Sequence, residues 1–311
     1  MSHHFLAKTH THSTWNRALP AVLEIASGDT VEFECHDSSG SQVTPASTTA
    51  DFLSIDRGKI HTLTGPVWVK DAQPGDVLQI DVREIRHHGW GWSSMISGLG
   101  FLPERFPEPY LFIWELEKEL SRSLAPAVVP LAPFAGIMGV APGEEGEFKT
   151  RPPGIFGGNM DVRDLIAGST LYLPVLNAGA LFSTGDVHAA QGDGEVCING
   201  IEAPANVTLE FTLHKGRSLS GPMLRSPGRP ATGPEWLFVE VHGDPLVAAR
   251  AALNRLIDFL VEKWGFSASH AYILCSVAAQ LRLSQVVNVP LITVSAALPE
   301  SILPGLQQPV F

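Results

Sequence analysis

Short apolar runs separated by turns that contain glycine or proline constrain the fold of this chain most. Thr30–Cys35 and Val77–Val82 alternate apolar and polar residues, and they follow the turns Ser27–Asp29 and Gln73–Asp76. Alternation with a period of two is typical of strands that bury one face. The 29 glycines and 24 prolines punctuate such runs and form no low-complexity tract. The sequence therefore predicts a mainly β body.

The C-terminal part of the sequence has a helical period instead. Asp244 is a suitable N-cap, Pro245 fits the first helical turn, and apolar residues recur at helical spacing as far as Trp264. Gly265 stands where a glycine commonly ends a helix. A second apolar run, from about 269 to 283, predicts another helix, and 286–294 predicts a closing strand. We therefore expect a small C-terminal α/β subdomain packed on the β body.

Composition limits the classes of function. The chain has 311 residues, is 44% apolar and 17% charged, and carries a formal charge of −11, which disfavours a nucleic-acid partner. No apolar stretch reaches the ~18 to 20 residues of a membrane span, and the first residues lack the layout of a signal peptide. The three cysteines are scattered and fit neither a disulfide framework nor a cysteine-based metal site. We expect a cytoplasmic protein without a membrane partner.

The segment Gly185–Glu195 concentrates polar chemistry between apolar flanks. It contains three carboxylates, one histidine and one glutamine. If it forms a hairpin, Asp186 and His188 share one face of the first strand, and Asp193 and Glu195 share one face of the returning strand. Such a cluster suits a divalent cation or general acid–base chemistry. The alternative is ordinary turn chemistry with a hydrogen-bonded structural histidine.

Two further places supply candidates with equally plain alternatives. Asn159 and Asp161 follow the pair Gly157-Gly158, where a backbone can approach a ligand closely, although an Asx-turn explains them as well. His61 precedes a turn into a strand, where a structural histidine is common. The sequence has neither a nucleophile elbow beside Ser183 nor a nucleotide-binding glycine loop, so it indicates no cofactor other than a metal.

Longer motifs carry a family resemblance. The central block and shorter motifs on both sides of it together resemble the acetamidase/formamidase family over nearly the whole chain. The matching stretches are His61–Pro66, Pro74–Leu78, Ile137–Pro142, Gly154–Asp161, Gly168–Val175, Gly179–Glu195, Ala271–Leu274 and Gln285–Asn288.

The resemblance implies hydrolysis of short aliphatic amides to a carboxylate and ammonia. It also implies a β-barrel and β-sandwich body with a small C-terminal α/β subdomain, usually in a homodimer or higher homo-oligomer. We divide the chain accordingly into a barrel-like part (1–150), a sandwich part that carries the central motif (151–243) and the α/β part (244–311). The resemblance further implies dependence on a divalent metal, with zinc as the leading candidate and calcium as the alternative.

These implications give each candidate residue a hypothetical role. His61, Asp161, Asp186 and His188 form the metal shell, and Glu195 is the general base. The remaining candidates orient the amide or the ligands: Asn159, Gln191 and the second catalytic carboxylate, Asp193. The division of the carboxylates between metal binding and proton transfer stays open. A different class of function also stays open, namely a non-catalytic binder of a small amide or carboxylate with a structural calcium site.

Overall fold

The computed structural model describes residues 1–228, 233–303, 305 and 310–311. Strands account for 38% of the residues and helices for 14%, which confirms the predicted mainly β class. The strands of the first half are β1 His3–Leu6, β2 Thr11–His12, β3 Thr14–Trp15, β4 Leu23–Ile25, β5 Thr30–Cys35, β6 Leu63–Val69, β7 Val77–His87, β8 Trp90–Met95, β9 Tyr110–Glu115, β10 Leu120–Ser121, β11 Val129–Pro130, β12 Phe134–Gly139 and β13 Phe148–Lys149.

The second half adds eight strands and the two longer α-helices. Its strands are β14 Gly157–Asn159, β15 Thr170–Pro174, β16 Phe182–His188, β17 Ala205–His214, β18 Met223–Ser226, β19 Glu235–His242, β20 Gln280–Gln285 and β21 Ile292–Pro299. The α-helices are α1 Thr49–Leu53, α2 Pro245–Trp264 and α3 Ala268–Ala278, and short 3₁₀ turns occupy Arg57–Lys59 and Glu300–Ile302. Among the described helices, none combines the length and apolarity that a membrane crossing requires.

Two large sheets enclose the main core. One has nine strands in the order β1-β5-β17-β7-β15-β18-β19-β21-β20, and the other has six strands in the order β14-β12-β16-β6-β2, with β4 also paired to β6. Phe182 of the smaller sheet lies between Phe33 and Phe211 of the larger one, with ring centroids 5.9 and 5.1 Å away. The apolar faces of both sheets thus pack into one buried layer, as in a β-sandwich.

The larger sheet crosses both predicted boundaries, 150 and 243. It takes β1, β5 and β7 from the first range, β15 and β17–β19 from the second, and β20 and β21 from the third. The three ranges are therefore joined by backbone hydrogen bonds within one sheet.

The predicted C-terminal helix has the expected ends. Asp244 accepts a hydrogen bond from the backbone N–H of Leu246, Pro245 occupies the first turn, and Gly265 closes the helix with φ 70°. The rest of this part differs from the prediction. α3 ends at Ala278, and 280–285 forms β20, because these residues pair with β21 along the edge of the large sheet. The closing strand accordingly begins at Ile292 rather than at 286.

Candidate active site

Three neighbouring strands of the smaller sheet bring the central candidates together. β14 and β16 pair antiparallel with opposite edges of β12, so the residues that follow β14 lie beside the end of β16. Asp161 and Asp186 both approach Gly136 of β12. A β-carbon on this glycine would lie 2.7 Å from Oδ1 of Asp161 and 3.1 Å from Oδ2 of Asp186. The missing side chain of Gly136 therefore makes room for two carboxylates.

A buried group of carboxylates surrounds His188. Nε2 of His188 lies 3.6 Å from Oδ1 of Asp186 and 2.9 Å from Oε1 of Glu202. Asp161 and Glu195 complete the cluster, and all five side chains are buried. The structure thus unites three of the four predicted metal ligands with the predicted general base.

The fourth predicted ligand, His61, lies next to this group. Its Nε2 is 3.9 Å from Oδ2 of Asp186, and its Nδ1 is 3.2 Å from Oγ1 of Thr150. Burial lowers the pKa of His61, which favours the neutral imidazole that binds metals. Among the described residues, however, the donor sets that fit within 4.8 Å do not include His61.

The side chain of Gln191 is hydrogen-bonded to His188. Its Nε2 donates to the backbone carbonyls of Asp161 (3.0 Å) and Ser284 (3.3 Å), which turns Oε1 toward Nδ1 of His188 at 2.7 Å. Because an amide oxygen only accepts, Nδ1 must donate. The lone pair of a neutral His188 is then on Nε2, which faces Glu202 and Asp186. Of the two roles predicted for Gln191, orienting the amide or orienting a ligand, this geometry fits the second.

The predicted returning strand of the hairpin is wrong. Residues 189–200 form turns and irregular backbone, because only Gly194 makes a β-bridge, to Gln285. Glu195 turns inward from this segment with its backbone N–H bonded to the carbonyl of Gly192. Asp193 instead points to the surface, with Oδ1 3.8 Å from Nε of Arg163, so the geometry does not bring it into the cluster.

Glu202 is the residue that sequence reasoning missed. It lies outside the central motif, and isolated β-bridges to Trp92 and His188 fix its backbone. The available signal was a lone glutamate between Ile201 and Ala203, because a carboxylate in an apolar run is costly to bury without a partner.

Among the described residues, several buried oxygens of the site have no hydrogen-bond donor. They are Oδ1 of Asn159, Oδ1 of Asp161, Oε2 of Glu195 and Oε2 of Glu202. Oε1 of Glu202 faces Nε2 of His188, which can donate to it only when the imidazole is protonated. Buried polar atoms nearly always have a partner. Two sets of donor atoms have the spacing of metal ligands: Asp161, Asp186 and His188, and His188, Glu195 and Glu202. Carboxylate and imidazole donors fit zinc, and the excess of hard oxygens also fits calcium.

Burial and mutual repulsion shift the titration of these groups. Burial raises the pKa of Asp161 to about 7 and that of Glu202 to about 7. Burial and the neighbouring Asp161 carboxylate raise the pKa of Glu195 well above its ordinary value. Burial alone would raise the pKa of Asp186 too, but His61 and His188 hold it below its usual range. The cluster therefore contains carboxyls suited to holding a proton beside one that stays ionised.

The backbone is strained at the same residues. Asp161, Asp186 and Glu195 have φ values of 51°, 54° and 51°, in the left-handed region that side chains with a β-carbon avoid. Each such residue costs on the order of 1–3 kcal/mol, and such residues concentrate at active sites. The strain supports a functional reading of this cluster over ordinary turn chemistry.

The chain resembles other proteins along almost its full length. The sequence model of the Acetamidase/Formamidase family matches residues 2–149 and 143–304. The chain belongs to this family. A putative formamidase of Schizosaccharomyces pombe is 27% identical, covering 90% of this chain and 86% of the relative. The acetamidase of Mycolicibacterium smegmatis is 25% identical, covering 85% and 84%.

Solved structures agree with the family assignment. The crystal structure of an acetamidase from Bacillus halodurans superposes with a TM-score of 0.88 at 32% identity, covering 96% of this chain and 98% of that one. The family resemblance seen in the sequence is thereby confirmed. The names of these relatives describe hydrolases that act on amide C–N bonds.

Proposed function

We propose that this protein is a metal-dependent amidohydrolase that cleaves short aliphatic amides of the formamide and acetamide type to a carboxylate and ammonia. Family membership supports amide hydrolysis. The observation that carries the metal dependence is the convergence of partnerless buried oxygens on Nε2 of His188. A divalent cation beside His188 would give a partner to the oxygens of the donor set that it occupies, either Asp161 with Asp186 or Glu195 with Glu202.

The cation would be held by Asp161, Asp186 and His188. His61 lies beside Asp186, and Glu202 approaches the same Nε2 of His188 that faces Asp186. When bound, such a cation lowers the pKa of a water to about 7 and polarises the substrate carbonyl. Gln191 keeps the proton of His188 on Nδ1, so that Nε2 stays free to act as a ligand.

Glu195 moves the proton in this proposal. Its carboxylate takes a proton from the attacking water as oxygen adds to the carbonyl carbon. It then gives that proton to the amide nitrogen, the C–N bond breaks, and ammonia leaves. A carboxyl with a raised pKa is suited to both steps near neutral pH. Asp193 takes no part because its side chain lies at the surface.

Asn159 is the candidate contact for the substrate amide. Its Nδ2 donates to the carbonyl of Arg151 at 3.2 Å, which leaves the buried Oδ1 free to accept. A primary amide offers an N–H donor to such an oxygen. The site thus suits a small neutral amide as its substrate.

Ammonia release tests the proposal directly. Metal-replete protein should release ammonia from formamide, acetamide or propionamide, and a chelator should abolish this. Glu195→Gln should lose turnover but keep its metal, whereas Glu84→Gln, at an exposed ion pair with Arg86, should behave as wild type. Loss of metal from Glu195→Gln would instead make Glu195 a ligand. Protein that contains calcium and releases no ammonia would be the non-catalytic binder.

We further propose a homodimer or higher homo-oligomer in the cytoplasm. α3 and the edge strand β20 expose large apolar side chains, namely Tyr272, Ile273, Val277, Leu281 and Leu283. An apolar patch beside an open strand edge favours association with a second copy. The three cysteines are unpaired, as expected in a reducing compartment. Light scattering on wild type and Val277→Glu tests the assembly, and a monomeric wild type would contradict it.

A further inference from the structure

The turn between β20 and β21 extends from the C-terminal part of the chain into the candidate site. We call residues 284–291 the β20–β21 turn. It flanks the segment that carries Glu195: the N–H of Gly194 donates to the carbonyl of Ser284 (3.2 Å), and the N–H of Val286 donates to the carbonyl of Gly194 (3.1 Å). The backbone that aims Glu195 is therefore hydrogen-bonded to this turn on both sides.

Among the described residues, Asn288 is the one residue of this turn whose side chain contacts a candidate metal ligand. Its Nδ2 donates to Oδ2 of Asp161 at 2.8 Å. Asn288 is 7% exposed and Asp161 is 1% exposed, so the bond is sheltered from water. Oδ2 of Asp161 is thus engaged, while Oδ1 has no donor and lies on the side of Gly136 and Asp186.

Gln285 fixes Asn288 in this orientation. Its fully buried Oε1 accepts from the backbone N–H groups of Val287 and Asn288, each at 2.9 Å. Its Nε2 donates to Oγ1 of Thr293 (2.9 Å) and to the carbonyl of Leu291 (3.3 Å). The amide of Gln285 makes three hydrogen bonds within the turn and a fourth to Thr293 of β21, so the turn has little freedom to rotate Asn288 away.

We propose that Asn288 is a positioning residue, held by Gln285, which selects the oxygen of Asp161 that binds the metal. With Oδ2 occupied by the amide, Asp161 presents Oδ1 alone and acts as a ligand through one oxygen. Because the backbone of Asp161 is strained, the bond from Asn288 also keeps the carboxylate from turning away. The inference rests on the proposed metal-dependent function, and it makes the C-terminal α/β part a component of the active site.

Zinc binding to purified full-length variants tests this inference. Asn288→Leu keeps the volume of the side chain and removes the donor, and Asn288→Ala serves if leucine prevents folding. The matched control is Asn206→Leu, which removes an asparagine amide that donates to Oε1 of Glu32 at 2.7 Å, far along the sheet in β17. Competition with a chromogenic chelator measures the dissociation constant of zinc, and thermal melting of the metal-free proteins measures the fold.

The Asn288 variants should bind zinc about 10- to 100-fold more weakly, the range found when a partner that orients a metal ligand is removed. Asn206→Leu should bind zinc as wild type does, even where its metal-free form melts at as low a temperature as that of Asn288→Leu. At saturating zinc, kcat of the Asn288 variants should fall while KM stays constant, because the substrate contact is untouched. Unchanged zinc affinity in the Asn288 variants, or an equal loss in Asn206→Leu, overturns the inference while leaving the proposed function intact. A wild type that binds no metal overturns both.

Discussion

Adding one methyl group at Gly136 tests whether Asp161 and Asp186 hold a metal. The φ of Gly136 is outside the left-handed region, so the backbone accepts alanine, and space alone opposes the substitution Gly136→Ala. The new β-carbon would lie 2.7 Å from Oδ1 of Asp161, 3.0 Å from the carbonyl of Asp186 and 3.1 Å from its Oδ2. The methyl group would therefore clash with both carboxylates.

The required displacement follows from these distances. Ordinary contacts begin at 3.4 Å, so Oδ1 of Asp161 must move by about 0.7 Å, the difference between 3.4 and 2.7 Å. Metal–ligand distances hold to within about 0.2 Å. The displacement exceeds that tolerance roughly threefold, so we expect the zinc affinity to fall by at least the ~10- to 100-fold seen on losing a ligand-orienting partner. Ammonia release should fall in parallel at limiting zinc.

The control is Gly143→Ala, whose added β-carbon would meet only Cβ of Leu176, at an ordinary 3.8 Å. Chelator competition gives the zinc affinity of both variants, and thermal melting of the metal-free proteins shows whether each is folded. A folded Gly136→Ala protein that binds zinc as tightly as wild type would refute the assignment of Asp161 and Asp186 as ligands.

Two other expectations concern pH and the C-terminal helix. In the metal-free protein the raised pKa values of Asp161 and Glu202, about 7 each, mean that the folded state binds more protons than the unfolded state between about pH 4 and pH 7, so its stability falls as pH rises through this window. The raised pKa of His188 lowers stability with rising pH in the same way, whereas the lowered pKa of His61 has the opposite effect. Chelator-treated protein should therefore have a lower melting temperature at about pH 8 than at about pH 6. Zinc displaces these protons, so it should bind more tightly at about pH 8. A melting temperature of the metal-free protein that increases from about pH 6 to about pH 8 would contradict this prediction. Asp244→Ala removes the N-cap bond to Leu246 and should lower the free energy of unfolding by about 1 kcal/mol in urea titrations without altering turnover, and an unchanged unfolding midpoint would count against the cap.

Local patterns predicted the elements and residues whose role depends on near neighbours in sequence. The cap, proline and terminal glycine of α2 were predictable because each acts within one helical turn. Asp186 and His188 were predictable as partners because two residues of one strand meet at the same site. The family motifs added Asp161, and the structure places it beside Asp186 across Gly136.

Long-range pairing decided the rest of the site. The sequence favoured a hairpin that would return Asp193 and Glu195 together, but the turns after β16 bury only Glu195. The lone glutamate of an apolar run and the motif that ends at Asn288 gave no location for Glu202 and Asn288, since each meets the cluster only through the arrangement of sheets and turns. Gln191 was predicted as a site residue, yet its contact with His188 depends on a carbonyl of Ser284, 93 residues away.

The sequence by itself determined the β class, the C-terminal helix and the segment that supplies most of the candidate site, because strand alternation, helix capping and polar clustering are properties of neighbouring residues. Only the tertiary structure decided which carboxylates share a point in space. Asp161, Glu195 and Glu202 gather around His188 because the six-stranded sheet, the turns that follow it and the β20–β21 turn pack against one another. Burial in that packed interior, which no local pattern encodes, shifts their pKa values and leaves their oxygens suited to a cation.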